Sequence, residues 1–82
     1  GNYREDRVIG ESVISIINKI NSLDASADNF PFAVNELYNQ GCAYISTILS
    51  NSYKDELQTS LDTAYNNAHT PYWQLHPELL NQ

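Results

Sequence analysis

The sequence predicts an all-α fold: a small antiparallel bundle of three main helices, followed by a short C-terminal helix or ordered tail. Three observations predict it. Apolar residues recur at spacings of three and four along most of the chain. Breaks rich in Asp, Ser, Asn or Pro at 24–31, 50–52 and 70–71 divide that pattern into helix-length stretches. The β-branched run Val13–Ile17 suits a strand, but adjacent Ile16 and Ile17 break the alternation a half-buried strand requires. Eighty-two residues make one domain, 1–82.

The first helix is expected over residues 2–23. Ile9, Val13, Ile16, Ile20 and Leu23 form one face, widened by Val8 and Ile17. Asn2 with Glu5 has the form of a capping box, and Glu5 and Asp6 suit the positive end of the helix dipole. Residues 24–31 connect. Pro31 is expected in the first turn of the second helix, where its missing N–H is harmless.

The second helix is expected over 31–50. Leu37, Gly41, Tyr44 and Ile48 make one stripe; Val34, Tyr38, Cys42, Ile45 and Leu49 make the next. Ser52 with Asp55 is expected to cap the third helix, 53–68, whose period runs through Tyr53, Leu57, Leu61, Ala64 or Tyr65, and Ala68. Thr70-Pro71 is expected to end it, since the residue before proline avoids helical geometry. The tail PYWQLHPELLNQ is apolar, and Pro71 and Pro77 can each open a short helix.

A short turn at 50–52 pairs helices two and three as a hairpin. Level positions then sum to about 103. Tyr38 faces Tyr65, Gly41 and Cys42 face Leu61 and Asp62, and His69 is level with Val34. Glycine inside a helix costs about 1 kcal/mol relative to alanine. Close approach of a neighbouring helix or ring at Gly41 offsets that. Cys42 reads as a small core hydrophobe. A nucleophilic thiolate needs a histidine, a cation or a helix N-terminus. His69 lies about 12 Å along the helix axis from the level of Cys42, beyond proton-transfer reach.

Composition excludes several classes. The formal net charge is −6, and only Arg4, Arg7, Lys19 and Lys54 are positive, so a phosphate backbone is repelled and no nucleic acid is expected. Residues 20–82 carry seven acids against Lys54 alone, which steers a basic partner toward them. One cysteine allows no internal disulfide and no zinc array. No apolar run approaches the length needed to span a bilayer, and no signal peptide is expected within these residues. The chain lacks methionine and opens Gly1-Asn2, which reads as a cleaved precursor or an excised piece and leaves a secreted or periplasmic origin open.

Other constellations are incomplete. Asp24, Ser26 and Asp28 have the spacing that opens a calcium loop, but Asn29, Pro31 and Asn35 stand where glycine, an apolar residue and a bidentate glutamate belong. The acids and Asn29 are instead expected to cap the second helix. His69 and His76 fit no helical metal spacing and read as capping or solvated groups. Asp55-Glu56 are expected to complement a helix N-terminus. No phosphate loop, hydrolase elbow or zinc-protease motif occurs, so no enzyme and no cofactor are expected.

Two short stretches resemble known groups. NYRED ahead of a helix is similar to the opening of a family of small thylakoid lipoproteins that help assemble photosystem II. The acidic helical hairpin ending in PY resembles bacterial toxin-immunity proteins in style. Each likeness covers few residues, and no family is assigned on it.

Six tyrosines and one tryptophan are many for this length. Tyrosine, apolar in body and polar at its tip, suits half-exposed surfaces. The expected function is therefore non-catalytic protein binding, as an inhibitor, assembly factor or complex subunit. The expected face comprises Tyr38, Tyr44, Tyr65, Tyr72 and Trp73 with Glu36 and Asp62. A basic partner fits it, and a homodimer is one form. The alternative is a carrier, with an apolar pocket near Tyr38, Cys42 and Tyr65 or a cation at Asp24 and Asp28.

Overall fold

The computed structural model describes the backbone of residues 2–78 and the side chains of 5–78. Three helices follow in order: α1 (Asn2–Asn21), α2 (Phe30–Ile45) and α3 (Asn51–Leu75). No strand occurs among the described residues. Each helix packs on both others. The side chain of Asn2, on which the expected cap depends, and the leucines Leu79 and Leu80 of the tail lie outside what is described.

The three-and-four spacing of α1 does what it predicts. Val13, Ile16 and Ile20 are buried, with Ile9, Ile17 and Leu23 partly so. They meet Phe30, Val34 and Ile45 of α2 and Leu57, Leu61 and Ala64 of α3. Full burial of one such large side chain contributes about 1.5–3 kcal/mol. Val8 does not join them and is 58% exposed. It lies five residues before Val13, well round the helix from the buried line. Among the described residues, no helix is long and apolar enough to cross a membrane.

α2 begins as expected, with Pro31 in its first turn, but Asn29 makes no side-chain cap bond. Its end differs: the helix stops at Ile45, not 50. The Ser46 and Thr47 hydroxyls donate to the carbonyls of Ala43 and Tyr44 at 2.6 and 2.7 Å. The backbone tightens as well, with Thr47 N–H bonding to Tyr44 and Ile48 N–H to Ile45. Such local bonds compete with helix continuation. The tightened chain tucks Ile48 into the core and turns Leu49 outward, 62% exposed, although it lies on the predicted stripe.

The cap of α3 is Ser50, not Ser52: its hydroxyl accepts the Tyr53 N–H at 3.4 Å. Asp55 and Glu56 therefore fall beyond the first turn they were expected to complement. A carboxylate is nevertheless present at this helix start, supplied from α1. Buried Asp6 accepts the N–H groups of Leu49 and Ser50, each at 3.1 Å.

α3 also passes through Thr70-Pro71 and ends at Leu75, with His76 as its C-cap. Thr70 Oγ1 donates to the Asn66 carbonyl at 2.9 Å. The helix survives the proline because the next turn is held by its rings: Tyr72 stacks on Phe30 and Trp73 on His69. Residues 71–75, expected to open a separate short helix, belong to α3.

Both interior glycines of the helices mark close approaches. A Cβ on Gly41 would lie 2.8 and 3.0 Å from the δ-carbons of Leu61. A Cβ on Gly10 would overlap the Tyr53 hydroxyl and sit 2.6 Å from its ring carbon Cζ. From Phe30 to Gly41 on α2, the partners on α3 step back from Tyr72 and His69 through Tyr65 to Leu61.

Candidate functional site

That register brings a ladder of rings to the seam of α2 and α3. Tyr38 and Tyr65 meet at 4.7 Å between centroids, Tyr65 and His69 at 4.2 Å, and His69 and Trp73 at 5.0 Å. Tyr65, His69 and Trp73 follow one another at i, i+4, so one face of α3 carries them all. Phe30 and Tyr72 close the inner side of the ladder at 5.3 Å. Pairs of this kind contribute about 0.5–1.5 kcal/mol beyond the area they bury. Tyr38, Tyr65, Tyr72 and Trp73 are each half-buried.

The hydroxyl tips are tied to neighbours. Tyr38 Oη donates to Asp62 Oδ1 at 2.6 Å, and Gln58 Nε2 donates to the same oxygen at 2.9 Å. The Asp62 bond, then burial, then Cys42 hold the Tyr38 hydroxyl protonated well above its ordinary range. The Gln58 amide also lies 3.8 Å from Cys42 Sγ. Tyr65 Oη donates to Asn35 Oδ1 at 2.9 Å, and burial raises its pKa.

His69 is the centre of the ladder. It is only 6% exposed, contrary to the solvated or capping role its sequence context predicts. The physical reason is the continuation of α3 past Pro71. That continuation places Trp73 on the imidazole, while Phe30 approaches it edge-on at 5.4 Å. Nδ1 lies 3.3 Å from the Tyr65 carbonyl, a contact that assigns the proton to Nδ1 in the neutral ring. Burial lowers the pKa, and the carbonyl bond offsets part of that shift.

Five predicted site residues therefore share one seam: Tyr38, Asp62, Tyr65, Tyr72 and Trp73. Two do not. Tyr44 is exposed beside Gln40 and Ala43, and the six residues separating it from Tyr38 turn it to another face of α2. Glu36 is exposed on α2. Sequence reasoning passed over Phe30, Asn35, Gln58 and His69 as members of the seam. The summed register of 103 held the signal for His69, since it set that residue level with the first turns of α2.

The carrier expectation meets a filled seam. Tyr38 packs on Tyr65 and Gln58 covers Cys42, where an apolar pocket was expected. An open groove of about 500 Å³ lies elsewhere, where Leu23 and Ala25 face Ala68, Pro71 and Leu75. Asp24 accepts both the N–H and the hydroxyl of Ser26, at 2.9 and 2.6 Å. Those two bonds lower its pKa. Among the described residues, no three His, Cys, Asp or Glu side chains converge. No protein-family model matches the chain, and neither a curated protein nor a solved structure matches it.

Proposed function

We propose that this chain is a protein-binding domain, spanning 1–82, that does no chemistry of its own and presents the α2–α3 seam to a partner with a basic surface. In this reading α2 and α3 form an antiparallel hairpin, and α1 backs it. One observation carries the proposal: half-buried Tyr38, Tyr65 and Trp73 are joined through buried His69 into a continuous ladder beside the Asp62 carboxylate, whose hydrogen-bond donors among the described residues are neutral. Aromatic rings with an adjacent charge are what interface anchors are made of. The surplus of acids over Lys54 in residues 20–82 favours a basic partner and speeds its encounter. A second copy of this chain carries the same acidic face, so a homodimer through it brings like charges together.

Two groups that nucleophilic or acid–base chemistry could use, Cys42 and His69, are engaged by neighbours, which supports a non-catalytic role. Cys42 meets an amide, and the imidazole of His69 meets rings and a carbonyl. The test is affinity capture from an extract of the source organism with wild type, Asp62→Lys and Trp73→Ala. A basic protein retained at low salt, weakened by added salt and lost with both variants while helix content is kept, supports the reading. Capture indifferent to salt and to both substitutions contradicts it.

A further inference from the structure

The turn of α3 beyond Pro71 has a weak backbone attachment. Pro71 has no N–H to give the Asn67 carbonyl, so the helical ladder lacks a rung where residues 72–75 begin. Ring contacts make up for it. Tyr72 stacks on Phe30 at 5.3 Å, and Trp73 lies on His69 at 5.0 Å with planes 24° apart. His69 is common to this assembly, touching Phe30, Tyr65, Tyr72 and Trp73.

We propose that His69 is a pH-sensitive latch: neutral, it fastens the last turn of α3 to α2, and protonated, it releases Tyr72 and Trp73 from the seam. The proposal concerns regulation of the proposed binding face and rests on that reading for its meaning. The groups facing the imidazole make a charge unwelcome. From α3, among the described residues, they are the uncharged phenol rings of Tyr65 and Tyr72 and the indole of Trp73. From α2 the contact is Phe30, the first residue of a helix with no acid in its first turn and no side-chain cap. The positive end of that helix dipole opposes a second positive charge. Among the described residues, α1 places no ring or hydrogen-bonding side chain on His69. His76 and Glu78 pair with each other at 3.4 Å, and His76 touches Tyr72.

A protonated imidazole has two N–H donors, and the Tyr65 carbonyl satisfies one. The second has no partner among the described residues beyond the little water that reaches a ring 6% exposed, and fuller hydration of the charge draws the ring away from Trp73 or Tyr65. Attraction between the cation and those ring faces resists the opening, while burial, the larger cause set against the Tyr65 carbonyl bond, lowers the pKa. The sign follows from linkage. A folded pKa below the unfolded one means the closed state is fully favoured above about 6.5 and loses that advantage as pH falls through the folded value.

The test is a titration of the protein alone from pH 8 to 4. It follows the His69 ring resonances and the fluorescence of Trp73, the only tryptophan. The latch expects His69 to titrate below 6.5, with Trp73 emission moving to the red and the Tyr72 resonances shifting at the same midpoint. His69→Gln is expected to leave the emission flat, and His76→Gln to leave the midpoint unchanged. His69 titrating at or above 6.5, a different midpoint for Trp73, or a transition abolished by His76→Gln overturns it. Wild type and His76→Gln carry the readout even where His69→Gln misfolds. No partner is needed, so a clear transition without any captured partner counts against the binding reading alone. A captured partner without the transition counts against the latch alone.

Discussion

Asp6, in the second turn of α1, accepts the backbone N–H of Ser50, the residue that caps α3, at 3.1 Å. It accepts the Leu49 N–H at the same distance. One buried carboxylate thus fastens the start of the first helix to the start of the last, across a separation in sequence of 44 residues. Hydrogen bonds to a charged group are worth about 1.5–3 kcal/mol net. Removing this one also orphans two N–H groups at a helix start. Asp6→Ala is expected to lower stability by about 2–4 kcal/mol, seen as a lower urea midpoint with an unchanged slope. A loss under 1 kcal/mol would remove the tie from the account.

Gly41 and Leu61 make a prediction with two signs. In wild type, Gly41→Ala drives a methyl against the Leu61 δ-carbons, and overpacking of this kind costs about 1–3 kcal/mol. In a Leu61→Ala background the space is free, and the same substitution is expected to stabilise by roughly the helix-propensity difference, about 1 kcal/mol. A double-mutant cycle by denaturant unfolding reads the coupling directly. Equal effects in both backgrounds would mean the two helices do not meet at Gly41.

Tyr38 predicts an alkaline weakness. Its folded pKa lies above the ordinary 10, chiefly through the bond to Asp62. The unfolded chain therefore releases this proton first as pH rises. The resulting stability is whole below about pH 10 and is lost progressively above it. Asp62→Asn keeps an acceptor but removes the charge, so Tyr38 is expected to ionise closer to its ordinary value and the alkaline loss to shrink. Ultraviolet titration of phenolate absorbance in wild type, Asp62→Asn and Tyr38→Phe separates Tyr38 from the other five tyrosines. An Asp62→Asn curve superimposable on wild type would be decisive against it.

Cys42 is half-buried beneath the Gln58 amide. Gln58→Ala is expected to speed its labelling by a disulfide reagent without changing helix content, and urea to speed it further. Labelling at the rate of a free thiol in native wild type would show that the amide does not cover the sulfur.

What the sequence made legible was periodic and local. Val13, Ile16 and Ile20 announced a buried face, and the short second connection set Tyr38 against Tyr65 and Gly41 against Leu61. What it hid depended on partners distant in the chain. Asp6 looked like a dipole residue because its true partners lie beyond residue 48. Pro71 looked like a stop because its lost rung is visible in sequence, whereas the Phe30–Tyr72 and His69–Trp73 contacts that offset it are not. The burial of His69 follows from the same omission. α2 ended early at Ser46 and Thr47, whose hydroxyls are found turned back on their own helix.

Site-specific photo-cross-linking tests the binding face most directly. A benzophenone amino acid replaces Asn66, exposed one turn from Asp62 and from His69, or Ile14, exposed on α1. Irradiation in cells of the source organism is predicted to join a basic protein to the probe at 66 and not to the probe at 14. An adduct formed only from position 14, or equally from both, contradicts the account.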